Sequence, residues 1–307
     1  MISFVLRRFL SAVPTIFIVV TISFFLMRFA PGGPFDLERP LSPQTMANIN
    51  ATFHLNDPLW LQYVHYVINA VRGDFGPSFV YKDSTVSQLI SQALPYSVEL
   101  GGIALSLALI GGVIIGTIAA LNQNSLFDFV LMAFATVGVT VPNFVVGPVL
   151  TLIFALMLYW LPAGGWGDGS AYYLALPITV LALPQVAIIA RLTRGSMIEA
   201  LHTDHIRTAK AYGLPSRVVV VTHALRGALL PVVSYLAPAA AALLTGSAVV
   251  ESIFTIPGIG RYFVIGALNR DYPLVMATVV LVAVFVILFN LLVDIAYGLL
   301  DPRVRHD

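Results

Sequence analysis

Runs of apolar residues as long as a bilayer is thick dominate this chain, and they leave few architectures open. Residues 9–30, 98–121, 174–192, 229–250 and 274–300 are each predominantly apolar, and about 20 such residues make one helical crossing. A sixth run, 126–161, is too long for a single crossing and is interrupted by Pro142. A surface or oblique segment is therefore expected first, then a crossing over about 143–161. Only helices and closed barrels satisfy their backbone groups in hydrocarbon. Runs of this length predict an all-α polytopic membrane protein with six transmembrane helices.

Composition agrees and removes alternatives. The 307 residues are 58% hydrophobic and 10% charged, against roughly 25% charged in a soluble domain. A net charge of +1 offers no basic surface for nucleic acid. Cysteine is absent, so there are no disulfides or thiolate metal sites. The two lysines, Lys82 and Lys210, do not follow glycine, so a phosphate-binding P-loop is missing. His202 and His205 flank Asp204 near a helix start, which reads as a solvent-facing group rather than a metal site.

Arg7 and Arg8 precede the first run. That run exceeds the apolar core of a signal peptide, about 7–15 residues, and Phe29-Ala30-Pro31 offers no small-x-small cleavage site. An uncleaved first span is expected, making residues 1–30 a tail plus span. Residues 31–97 are mostly polar and broken by Gly and Pro, which predicts an external subdomain. Within it, 58–73 carries apolar residues at helical spacing. Residues 98–300 form the main transmembrane domain, and 301–307 a cytoplasmic tail. Ten Lys and Arg residues fall in the segments placed inside and five in those placed outside, so both termini are expected in the cytoplasm.

Small residues recur every four positions along the second span, at Ala104, Ala108, Gly112, Gly116 and Ala120. Such a row admits a close helix neighbour, either within the chain or across a subunit interface. Ionisable groups in the spans are costly and face protein or water. Arg28 and Glu251 read as interfacial anchors, and Asp294 as a group facing a neighbouring subunit or the inner interface. Asn143, Thr151, Gln185, Ser234, Thr245, Ser247 and Asn290 are the polar candidates for lining a pathway. No Ser-His-Asp set or paired carboxylates stand at enzyme-like spacing within the spans. The chain is expected to be non-catalytic.

The loop 191–228 contains a marked short helix. Thr203 can cap it, Asp204 complements its positive end, and Gly213 with Pro215 ends it. Ile206, Ala209 and Gly213 share one face, with Arg207 and Lys210 on another. A helix this short needs packing to persist.

The stretch Asp204-His205-Ile206-Arg207-Thr208-Ala209-Lys210-Ala211-Tyr212-Gly213-Leu214, followed by His223-Ala224-Leu225-Arg226, resembles the cytoplasmic loop of ABC importer permeases. More narrowly it is similar to their dipeptide, oligopeptide and nickel branch. The resemblance extends to Ala30-Pro31-Gly32-Gly33-Pro34, to Pro58-Leu59-Trp60-Leu61-Gln62-Tyr63, to Gly73-Asp74-Phe75-Gly76, and to Glu251 through Gly260. Asn269-Arg270-Asp271-Tyr272 and Asp301-Pro302-Arg303 complete it. Two departures stand out: Arg207 occupies the family's glutamate position, and Gly227 stands where many relatives carry Asn.

This resemblance implies a type I importer permease fold in a bacterial inner membrane. It also implies a second homologous permease, two cytoplasmic ATPases that bind ATP and magnesium, and an external protein that delivers peptide. The chain itself would hold no cofactor. Asp204, Arg207, Ala209, Lys210, Gly213 and Leu214 would form the coupling helix seated on an ATPase, and selectivity would rest in the external protein. The oligopeptide subtype is the nearest match; a dipeptide or nickel permease is the alternative. A self-sufficient secondary transporter is a more distant one, because no buried acidic or histidine relay stands out.

Overall fold

The structure is a computed structural model that describes residues 2–29, 56–81 and 83–300, with the side chains of residues 2–9, 245–246 and 297–300 outside that description. The segment 31–55, Lys82 and the tail 301–307 thus lie outside the described residues.

Ten helices carry the description. They are α1 (Ile2–Phe29), α2 (Leu59–Val71), α3 (Val86–Leu121), α4 (Leu126–Thr140), α5 (Asn143–Leu150), α6 (Ala171–Leu201), α7 (Asp204–Ala211), α8 (Leu230–Ile253), α9 (Ile259–Leu268) and α10 (Tyr272–Leu300). Five of them are long and apolar enough to cross a membrane, and α4 with the α5 region makes a sixth if that bent pair is one span.

The second span starts at Val86 rather than Val98 because the chain caps it there. Thr85 Oγ1 accepts from the Gln88 amide at 3.2 Å while Gln88 Oε1 accepts from the Thr85 amide at 3.1 Å, a reciprocal capping box. At about 1.5 Å per residue, the 36-residue α3 is longer than a bilayer's hydrocarbon core is thick. Its small-residue row packs against α6. A Cβ on Gly112 would lie 2.6 Å from Ile189, and one on Gly116 would lie 2.6 Å from Thr193 Cβ. The row is a contact inside this chain, tight enough that only hydrogen fits.

α6 runs as one helix through Pro177 and Pro184 and ends at Leu201. α4 lies along it: Asp128 meets Arg194 near the end of α6, and Gly138 rests against Leu183 and Ala187. The sequence places a surface or oblique segment here and a complete span only after Pro142. Instead α4 runs antiparallel along one side of α6, and the chain bends by 105° between Thr140 and Asn143. Val141 and Pro142 are extended there, and Pro142 caps α5; a proline pushes its predecessor out of the helical region. α5 continues as a π-helical turn, Thr151–Met157, so the helix stops short of residue 161.

The main core gathers Leu100, Ala104 and Ala108 of α3, Leu181 and Ile189 of α6, and Val232, Leu243 and Val250 of α8. Large apolar side chains elsewhere, such as Phe129, Phe134 and Phe144, are exposed, as expected where lipid or another subunit is the solvent.

Candidate coupling site and a buried carboxylate

α7 forms where Thr203, Asp204, Gly213 and Pro215 place it, with one difference. Thr203 occupies the cap position, but its Oγ1 donates back to the Ala200 carbonyl at 2.6 Å and leaves the first-turn amides alone. Gly213 ends the helix at φ +74°, the left-handed region that glycine enters freely. The inner face is anchored: Ile206 and Ala209 are buried in one cluster with Ala120, Met197, Val219, Ala224 and Ala228. Ala209 is thereby committed to this chain and holds the helix from within.

The outer face is bare. Asp204, Arg207, Lys210, Gly213 and Leu214 are exposed, and Tyr212 at the tip is 82% exposed. Arg207 reaches Asp204 at 3.4 Å, a solvent-exposed pair that contributes little alone. His202 and His205 are also exposed, and no metal-holding cluster of His, Cys, Asp and Glu occurs among the described residues.

The candidate pathway residues are dispersed. Gln185 is buried and its Oε1 accepts from the Tyr235 hydroxyl at 2.9 Å. Asn143 is half-buried. Exposed Ser234 and half-buried Thr151 donate to carbonyls one turn back in their own helices. Asn290 does likewise and faces a groove shared by α1 and α10, where Ser11, Thr15 and Asp294 also lie. The Thr245 side chain lies outside the described residues. Ser247 lines an apolar cavity of about 210 Å³ between α3, α8, α9 and α10, together with Ser97 and Thr278.

Beside that cavity stands a group the sequence misplaces. Glu251 is not an interfacial anchor; it is fully buried. Its carboxylate accepts from Ser97 Oγ at 2.7 Å and from the Arg261 amide at 3.2 Å, while Ser97 Oγ in turn accepts from the Ile259 amide at 2.8 Å. A buried carboxylate needs hydrogen bonds to persist, and α3 and the first turn of α9 supply these donors. The turn after α8 needs its glycines: a Cβ on Gly258 would sit 2.6 Å from Glu251 Oε1, and one on Gly260 would sit 2.8 Å from Ala248 Cβ. The sequence Glu251 to Gly260 is thus a carboxylate with the loop that wraps it. Ser97 carries no local signal for this role, since it lies on another helix.

A second buried carboxylate, Asp271, joins the segment around Ser78 and Val80 to α10. It accepts from Ser78 Oγ, from the Val80 amide at 3.2 Å and, as the cap of α10, from the Leu274 amide at 3.3 Å.

The long apolar helices and their mutual packing define a membrane protein of several spans. The chain belongs to the family described as binding-protein-dependent transport system inner membrane component, whose sequence model matches residues 112–306; the corresponding N-terminal model matches residues 1–101. It is 55% identical over the full length of both chains to the oligopeptide transport system permease protein OppB of Haemophilus influenzae. It is 53% identical, again over both full lengths, to OppB of Escherichia coli. The dipeptide transport system permease protein DppB of Bacillus subtilis is 43% identical, with 98% of this chain and 97% of that one covered. Among solved structures, an amino acid ABC transporter shares the fold at a TM-score of 0.53 and 17% identity, covering 69% of this chain and 94% of that one.

Proposed function

We propose that this chain is one of two homologous permeases lining the pathway of an oligopeptide importer. It would act with two cytoplasmic ATPases, which bind ATP and magnesium, and with an external peptide-binding protein. The observation that carries the substrate class is the end-to-end identity of 53–55% with oligopeptide permeases. A dipeptide importer is the second reading, favoured by the 43% relative. In this reading α7 is the coupling helix and both termini are cytoplasmic. Asp204, Arg207, Lys210, Gly213 and Leu214 face the ATPase, while Ala209 holds the helix from behind. A rigid element with one side packed on the spans and one side free suits the transmission of ATPase closure.

Uptake of labelled peptides of two to five residues by the reconstituted complex tests this. Transport of the longer peptides, dependent on ATP and the binding protein, is the expected result; uptake of dipeptides alone moves the chain to the second reading. Single cysteines at Tyr81 and Ser216, in a chain with no native cysteine, test orientation. Labelling of position 216 from outside would reverse it.

A further inference from the structure

Three stretches of chain run between the main core and the cluster beneath α7, and one of them is broken on the way. α3 passes from Ala108 to Ala120, and α6 from Ile189 to Met197, as unbroken helices. Between the two cores they are seamed at Gly112 and Gly116, where a methyl group has no room. The third stretch carries Ala224 and Ala228 in the cluster beneath α7 and Val232 in the main core. Its winding changes from the π-helical Val219–Ala224 to the α-helical Leu225–Ala228, and Leu229 then interrupts the helix before α8 begins.

The interruption has a covalent cause. Pro231 has no N–H to donate to the Gly227 carbonyl one turn back, and its ring crowds that carbonyl. Leu229 takes ψ −14°, well short of the helical value of about −42°. Gly227 is exposed, and a Cβ on it would meet nothing within 4 Å, so no neighbour braces the joint from that side. Pro177 and Pro184 leave α6 unbroken. The break at Leu229 thus falls where one core ends and the other begins.

Beyond the joint, α8 meets α3 across voids. Cavities of about 110 and 210 Å³ open there, with α10 as a further wall, and Ser97 and Leu244 line both. A Cβ on Gly101 or Gly102 would meet nothing within 4 Å, in contrast to the seam with α6. A void forfeits dispersion contacts, so displacement at the α8 face disrupts less packing than displacement at the glycine seam. The side-chain tie across this face is the hydrogen bond from Ser97 to Glu251.

We propose that α8 is a gate hinged at Leu229. α3, α6 and α7 move as one body, and α8 swings against α3 on the joint that Pro231 creates, with the Ser97–Glu251 bond holding it closed. A rigid pair beside a hinged span turns displacement of α7 into a change of spacing between α3 and α8.

A gate of this kind rests on the proposed role as a transport subunit, and the test reads the two apart. The chain has no native cysteine, so pairs can be introduced in the assembled complex. Gly101→Cys with Leu244→Cys spans the α3–α8 cavity. Gly111→Cys with Val186→Cys spans the α3–α6 seam, where a Cβ on Gly111 would lie 3.8 Å from Val186. ATP-driven uptake before cross-linking establishes transport. Closing the first pair with a short reducible reagent is expected to abolish uptake until the link is reduced, and closing the second to leave uptake intact. Loss with both pairs, with neither, or with the second alone overturns the gate and leaves the transport reading standing. Pro231→Ala, which restores the missing N–H, is expected to lower uptake about two- to tenfold in an assembled complex, the population shift that one backbone hydrogen bond produces. Unchanged uptake in that variant overturns the hinge at Leu229. If Pro231→Ala fails to assemble, the two cross-links on the native backbone still decide.

Discussion

Asp128 and Arg194 face each other across α4 and α6 in a two-pronged ion pair, with Nε to Oδ1 and Nη2 to Oδ2 both at 2.6 Å. The Asn124 amide adds a third contact to the carboxylate at 3.0 Å. This geometry is the strong form of the interaction, with planar guanidinium matched to planar carboxylate.

Breaking it should loosen α4 from the bundle. Asp128→Ala or Arg194→Ala is expected to cost about 1.5–3 kcal/mol, read as a lower unfolding midpoint of the purified complex. The double variant should lose clearly less than the sum of the two singles. Additive losses would mean the pair is not coupled in the assembled protein.

Gly258→Ala should disturb the outer turn, because the added methyl meets the Glu251 carboxylate. Overpacking of this kind costs about 1–3 kcal/mol, and the expected readout is faster proteolysis within 254–260 from the outer face. Glu251→Gln, which keeps the acceptor oxygen for Ser97, should be milder than Glu251→Ala. Equal sensitivity of the two variants would sink the network as drawn.

Gly112→Leu and Gly116→Leu insert bulk between α3 and α6, so folding of the chain itself should fail, and not only its association. Membrane-inserted protein that withstands mild detergent is expected to fall sharply when the chain is expressed without partners. Full recovery of the lone chain, with loss only on assembly, contradicts the intrachain contact.

Gly213→Val isolates backbone strain, since a Cβ there meets nothing within 4 Å. The left-handed conformation costs an L-residue roughly 1–2 kcal/mol, and a β-branched one more. The variant is expected to insert normally and to lose peptide uptake, with ATP hydrolysis reduced or uncoupled. Gly213→Asn should retain more function, and Arg207→Ala should show a partial, salt-sensitive defect. Normal coupled uptake by Gly213→Val removes α7 from the mechanism.

Much of this architecture was readable from local pattern. Hydropathy locates the spans because bilayer thickness imposes a length, and Gly213 with Pro215 ends α7 because backbone conformation imposes a residue type. The start of α3 was also written locally, in Thr85 and Gln88, and a cap signal there outweighs the drop in hydropathy before Val98. Glu251 is different. Its partner Ser97 lies on another span and the Arg261 amide lies in the first turn of α9, so the sequence shows a carboxylate near a helix end and nothing of its enclosure. The neighbour of the small-residue row was equally hidden, since a row of glycines and alanines says that something approaches closely without saying what. The pathway residues did not gather because most satisfy themselves within their own helices.

The cluster beneath α7 has a mechanical meaning. Ile206 and Ala209 share it with Ala120 at the end of α3, Met197 near the end of α6, and Val219, Ala224 and Ala228 on the approach to α8. The ends of two spans and the segment leading into a third therefore meet one small wedge, packed mainly through alanine and branched aliphatic side chains. A load on the exposed edge of α7 cannot be taken up by one span alone. It is shared by the ends of α3 and α6 and the segment that enters α8, since all of them pack on the same two side chains of α7.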